Sequence, residues 1–341
     1  MKVLLAPVHI GNQLKIYETV LKINGVKATS MALYNNRFKN KASINLDMGV
    51  KNKYLNLTIR ILFFIYSLFY FDIFHFFYGE SLLPKNFDLY FLKLFKKKIL
   101  MQFWGSDVRI PSIAKDRSKY YINSYDESGK RNIVKMKKLS KFINNIAVQD
   151  YELHEYVKPY YKNIFILKAC SLNDILNGYN KILGYKKNKR KIRILHIPSQ
   201  KAFKGSEIIY NNILKLRKRY KNKFEYKLVE NTPHNKVKEE IEKSDILIDQ
   251  IRIGTYGIVS VEAFSLGVPV VCYIRKDLIE RYPRELPIIN ANPDNLYSVL
   301  EKLLKNPYAL QRYSKKSKEY FMKYHSPDVI GNQLINIYKK L

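Results

Sequence analysis

In the stretch from Asp249 to Val271, a loop bounded by Gly254 and Gly257 opens a helix that carries one carboxylate, Glu262. Asp245 to Ile248 reads as an apolar strand, the glycine loop follows it, and a helix opens behind the loop with Glu262 one turn in. A second turn, Gly267-Val268-Pro269, leads into another strand at Val270 to Tyr273. Glycines let backbone amides approach a ligand closely, and the N-terminus of a helix favours phosphate. Glu262 could accept hydrogen bonds from sugar hydroxyls; the plainer reading is a carboxylate that complements the helix dipole. With the glycines in place, the pattern predicts a nucleotide-sugar site.

Other candidates lie on either side of this stretch. Lys201 and Lys204 flank a loop before a helix, where fixed cations would neutralise a diphosphate leaving group and stabilise its developing charge. Arg252 lies in the loop between donor strand and helix, and Tyr256 and Ile258 border Gly257, so all three are expected beside the donor. Earlier in the chain, Asp107 follows a Gly-Ser turn; it reads either as a cap of the next segment or as an acceptor-binding or basic group. Arg109 reads as the ion partner of Asp107 or as a contact for an anionic acceptor. His75 and His196 each end an apolar strand, as core histidines or as groups facing a ligand.

Short apolar strands alternating with longer helical patterns must position these residues, which argues for α/β layers with parallel sheets. Strands read at 2–6, 26–32, 72–77, 98–103, 145–148 and 164–167, with helices at 11–23, 55–70, 87–95, 130–141 and 150–157. The alternation restarts at Ile192 after a polar, basic stretch over 181–191 that reads as a linker. Strands follow at 225–230, 245–248, 269–273 and 286–289, and helices at 205–219, 235–243, 257–266, 293–304 and 308–322. The predicted organisation is a domain over 1–180, the linker, a domain over 192–325 and a last helix over 326–341. This is two doubly wound Rossmann-like domains facing across a cleft, with ligands at the carboxyl ends of strands.

Composition sets outer limits. The 341 residues suffice for two cores, and 47% hydrophobic with 26% charged residues is a globular balance. Cys170 and Cys272 show no ligand spacing and read as reduced thiols of a cytoplasmic protein. The first residues read as a buried strand and not as a signal peptide. Net charge is +32, from 61 Lys plus Arg against 29 Asp plus Glu. That excess reads as attraction to an anionic membrane surface or as the codon bias of a Lys-, Asn-, Ile- and Tyr-rich chain. Basic residues are scattered without a recognised module, so a nucleic-acid partner is not expected. Ile61 to Gly79 is almost wholly apolar, but Asp72 and His75 interrupt it, so a helix followed by a buried strand is expected instead of a membrane span. The aromatic-rich helix, with Lys51, Lys53 and Arg60 beside it, could also rest on a membrane leaflet.

Several of these residues resemble a known family. The group 1 (family 4) glycosyltransferases of the GT-B fold carry Gly-x-x-x-x-Glu-Ala-x-x-x-Gly-x-Pro-Val-Val at the donor site. This chain has Gly257, Glu262, Ala263, Gly267, Pro269, Val270 and Val271 at those positions. Phe71 to His75 looks like the family's Asp-Val-Val-His strand end, and Phe103 to Arg109 like its His-Gly-Ser-Asp loop, with Trp104 in place of the first His. Pro198 to Ser206 is similar to the loop that places basic side chains on the diphosphate. Pro293 to Leu296 and Tyr324 to Pro327 resemble the C-terminal helices.

The resemblance implies transfer of a sugar from a nucleotide-diphosphate sugar to a hydroxyl of a glycan or lipid-linked acceptor, with retention of configuration. It implies Glu262 on the ribose, Lys201 and Lys204 on the diphosphate, and Asp107, His75 and Arg109 near the acceptor. Asn12 and Gln13 would lie on the loop that faces the cleft. The nucleotide sugar is a co-substrate, and neither cofactor nor metal is expected, since no paired-carboxylate motif stands in the donor loop. Many members carry a second carboxylate eight residues before Glu262; here that position is Gly254, so its sugar contacts are not carried over. The rivals are a nucleotide-sugar 2-epimerase of the same fold and a non-catalytic protein bound to a polyanion or membrane.

Overall fold

A computed structural model describes residues 1–34, 41–47, 52–122, 128–172 and 191–341. The apolar stretches become interior strands, because a strand covered by helices on both faces has no solvent side. The first sheet comprises β1 (Lys2–Ala6), β2 (Lys27–Ala32), β3 (Ile44–Asn45), β4 (Ile73–Phe77), β5 (Lys98–Phe103), β6 (Asn145–Val148) and β7 (Asn163–Ile166). The second comprises β8 (Ile192–His196), β9 (Phe224–Leu228), β10 (Ile246–Ile248), β11 (Val270–Cys272) and β12 (Ile288–Asn290). Their orders are β3-β2-β1-β4-β5-β6-β7 and β12-β11-β10-β8-β9, parallel throughout. Each order reverses beside its first strand, between β1 and β4 and between β8 and β10. Ligands of open α/β sheets bind at the carboxyl ends of strands at such a point.

The helices of the first part are α1 (Gln13–Ile23), α2 (Lys53–Tyr70), α3 (Asp88–Leu94), α4 (Pro111–Arg117), α5 (Lys130–Leu139) and α6 (Tyr151–Val157). They are followed by α7 (Lys201–Lys204), α8 (Ser206–Tyr220), α9 (His234–Glu242) and α10 (Ile258–Ser265). The last are α11 (Lys276–Ile279), α12 (Leu296–Lys305), α13 (Tyr308–Tyr324) and α14 (Pro327–Lys340). α1 buries Leu14, Tyr17, Val20 and Leu21, a stripe at helical spacing that packs toward the sheet. α2 starts at Asn52, whose side chain accepts hydrogen bonds from the amides of Tyr54 and Leu55.

The chain divides into two compact units. The first holds the described parts of Met1–Ile110, Ser128–Cys170 and Pro327–Leu341; the second holds those of Pro111–Glu127 and Ser171–Ser326. The first core centres on Leu4, Tyr17, Phe74, Phe76 and Phe103. In it α14 lies on α1, and a Cβ at Gly331 would come within 2.4 Å of Asn24 and 3.0 Å of Val20. The second core joins Ile194, Ile209, Ile213, Ile246, Val271 and Leu300.

Two Rossmann-like sheets form as the sequence predicts, with element ends displaced by at most a few residues; the two-residue edge strand β3 is too short to show a period and was not foreseen. Residues 181–190 of the expected linker lie outside the described residues. α4 and α11 were not foreseen. Lys201 to Lys204 form a helical turn and not a loop, closed by Gly205 at φ 82° before α8 begins. His75 is the middle residue of β4 and not its end, because the strand runs on through Phe76 and Phe77. Among the described residues no helix is long and apolar enough to cross a membrane.

Candidate active site

Asp249 stands one residue beyond β10 and is buried. Its Oδ1 accepts a hydrogen bond from Lys204 Nζ at 2.5 Å. Its Oδ2 accepts from the Gly257 amide and the Ser260 hydroxyl, both at 2.7 Å. Burial alone would raise the pKa of this carboxyl. The Lys204 ammonium and the two donors on Oδ2 outweigh it and hold the value below the ordinary one. One carboxylate thus ties the end of β10 to α7 and to the first turn of α10.

Glu262 lies on α10 and is largely buried. Its Oε1 is 2.7 Å from Nε2 of His234, the first residue of α9. That bond raises the imidazole pKa above its ordinary 6.5, against the opposing effect of burial. Lys201 is exposed, with Nζ 2.9 Å from Glu230 Oε2. Ammonium, imidazole, carboxylate and a helix start therefore gather in the segments that follow β8, β9 and β10. Such a set can neutralise phosphate through its cations and accept hydroxyl hydrogen bonds through Glu262.

His196 is a core residue. Its Nδ1 is 2.8 Å from the Ile248 carbonyl and its Nε2 2.8 Å from the Ser206 hydroxyl, and burial lowers its pKa to about 4. Arg252 Nη1 donates to the Tyr120 carbonyl at 3.4 Å, and its buried Nε has no hydrogen-bond partner among the described residues. The Tyr256 hydroxyl faces His325 Nε2 at 3.1 Å and its ring packs on Phe264 and Tyr282, so the side chain belongs to the core. Ile258, the first residue of α10, is half-buried.

Gly254, where many members of the resembling family carry a carboxylate, has φ +95°. A Cβ there would lie 2.1 Å from Arg275 Cγ. Arg275 is buried, and its guanidinium makes two hydrogen bonds to Asp277, at 2.9 and 3.0 Å. Backbone and space together explain the glycine.

In the first unit the candidates are held by structural bonds. Asp107 is buried and accepts from the amides of Trp104 at 3.0 Å and Gly105 at 2.7 Å, and burial raises its pKa. Arg109 pairs with Glu152 through Nε at 2.9 Å and Nη2 at 2.8 Å, and not with Asp107. Burial opposes its charge, but Glu152 keeps it firmly protonated. His75 Nδ1 is 2.8 Å from the Tyr338 hydroxyl, and complete burial lowers its pKa to about 3. The Gln13 amide donates to the Cys170 carbonyl at 2.8 Å and accepts from the Cys170 amide at 3.0 Å. Asn12, at φ 61°, precedes α1.

Three residues escaped the sequence reading: His234 as the partner of Glu262, Asp249 as the clasp of Lys204 and Gly257, and Arg275 against Gly254. The available signal for His234 was its place after Pro233 at a helix start, one loop beyond a strand end. Among the described residues no group of three or more His, Cys, Asp or Glu could hold a metal ion.

Two parallel sheets with these switch points give the chain the GT-B fold of paired Rossmann-like domains. No protein-family model and no curated protein sequence matches it. Solved structures do. Sucrose-phosphate synthase from Thermosynechococcus elongatus superposes with a TM-score of 0.65 at 12% identity, over 100% of this chain and 99% of that one. HepE from Anabaena in complex with UDP gives 0.63 at 10% identity over 100% of both chains. UDP-GlcNAc 2-epimerase from Neisseria meningitidis bound to UDP-GlcNAc gives 0.56 at 14% identity, over 100% and 99%.

Proposed function

We propose that the protein is a glycosyltransferase that moves a sugar from a nucleotide-diphosphate sugar, a UDP-sugar by preference, to a hydroxyl acceptor. The reading is carried by the constellation of Lys204, Asp249, the α10 start, Glu262 and His234 beyond the strand ends of the second sheet. The similar solved structures with UDP or UDP-glucose bound support a nucleotide-sugar donor. In the reaction the bond from the anomeric carbon to phosphate breaks, a bond to the acceptor oxygen forms, the acceptor proton leaves and the nucleoside diphosphate departs. Lys201 and the α10 N-terminus would neutralise the departing diphosphate without a metal, and Glu262 would hold the ribose. Retention, an acceptor near Asp107 in polysaccharide, glycolipid or envelope glycan synthesis, and a cytoplasmic, membrane-peripheral location complete the reading.

Calorimetric titration with UDP, GDP, ADP and CMP tests it, with Glu262→Ala and Lys201→Ala beside the wild type. The expected result is one preferred nucleotide whose affinity falls about tenfold or more in Glu262→Ala, the cost of losing a charged hydrogen bond. Binding of none of the four would overturn the reading and favour a non-catalytic protein. A 2-epimerase remains as second reading because His234 and Glu262 supply an acid–base pair beside the same strand ends. Incubation with UDP-GlcNAc alone, followed by proton NMR, separates the two: epimerisation without acceptor would establish the second.

A further inference from the structure

α2 buries only Phe64, Ser67 and Leu68 of its 18 residues. On another side Leu62 is 62% and Phe69 73% exposed, with Leu55 and Ile65 on the same ridge at helical spacing. α3 continues this surface: Leu94 is 74% exposed, and ring centroids lie 6.0 Å apart for Phe64 and Phe91 and 6.1 Å for Phe69 and Phe95. Most of the large apolar side chains exposed among the described residues fall on these two helices or the turn between β4 and α3. Single exposed leucines need no explanation, but a continuous apolar face does.

Its rim is cationic. α2 has no acidic residue and α3 only Asp88, which is buried and accepts from Ser81 Oγ at 2.6 Å and the Leu82 amide at 2.9 Å. Lys53 and Arg60 lie along α2, and Lys93 and Lys96 at the end of α3. Lys93 Nζ reaches the Lys141 carbonyl at 3.3 Å, and Lys138 Nζ the Lys85 carbonyl at 2.5 Å, so the basic end of α5 borders the same surface. An apolar centre rich in Tyr and Phe with a lysine rim fits the boundary between headgroups and acyl chains. A second copy fits less well, since a symmetric contact would press the two lysine rims together.

We propose that α2 and α3 lie in the plane of an anionic lipid bilayer, with the ridge from Leu55 to Phe69 in the acyl boundary and the lysines on lipid phosphates. This deepens the peripheral location proposed above, and its test reads lipid binding without any nucleotide. Sedimentation with vesicles of equal parts phosphatidylglycerol and phosphatidylcholine should carry the wild type down. The doubly substituted Leu62→Glu/Phe69→Glu protein should bind about tenfold or more weakly, and Lys93→Glu/Lys96→Glu should bind less well too. Circular dichroism melts check that these surface variants fold. A Leu62→Trp variant gives a direct readout, because the chain has one other tryptophan, the buried Trp104. Its emission should shift to the blue on adding vesicles while that of the wild type stays fixed. Equal binding by the wild type and Leu62→Glu/Phe69→Glu would show attraction by charge alone and overturn the proposal. So would failure of the wild type to bind vesicles, whether it sediments as a monomer or as a dimer that this double variant breaks.

Discussion

The proton on His234 governs how firmly Glu262 is held. Its imidazole pKa is raised above 6.5 chiefly by the hydrogen bond to Glu262. A raised folded-state value means that the stabilisation is fully present below the unfolded value and is lost as pH climbs through the folded one. Melting temperatures of wild type and His234→Gln, compared from about pH 5.5 to about pH 9, should differ most at the acidic end and converge as pH rises. A gap that stays constant would mean that the pair is held as a neutral hydrogen bond. The same residues show what a sequence reveals at this scale. The place of Glu262 on a helix behind a glycine loop was legible because glycines, helix start and carboxylate stand within a few positions. Its partner lies 28 residues earlier and meets it only once α9 and α10 are folded. Asp107 and Gln13 were legible as polar residues after strands, but their backbone partners could not be read from residue types.

Elements are set by periodicity, and here the strands were the clearest, since β4 and β10 are buried along their whole length. Helical turns as short as α7 and α11 carry too few residues for a period, which is why Lys201 and Lys204 read as loop residues. The loop between β10 and α10 depends on a different signal, the positive φ of Gly254. Gly254→Ala should destabilise the protein by about 1–3 kcal/mol in denaturant unfolding, from strain at that φ and from overlap with Arg275. Adding Arg275→Ala should relieve the overlap but leave the backbone strain, so the double variant should be less destabilised than the sum of the two single ones. Strict additivity would show that Arg275 is not what excludes a side chain at this position.

Across the whole molecule, the charge of +32 left partners undecided, because scattered lysines attract any polyanion and salt screens them all. The arrangement of the charge is more informative than its sum, since lysines border an apolar face on α2 and α3 while Lys201 and Lys204 of α7 are drawn to the carboxylates of Glu230 and Asp249. Two units with separate cores also make the proposed donor site separable by melting. Trp104, the single tryptophan, belongs to the first unit, whereas Lys204, Glu262 and His234 belong to the second. A nucleotide binding the second unit at about a hundred times its Kd adds about 2.7 kcal/mol to that unit. For a domain of this size that raises the melting temperature by about 5–10 °C. Calorimetry with UDP should therefore move one of two transitions by this amount, while the melt followed by Trp104 fluorescence stays in place. If the Trp104 melt moves equally, the two cores unfold together and the ligand stabilises both through that coupling.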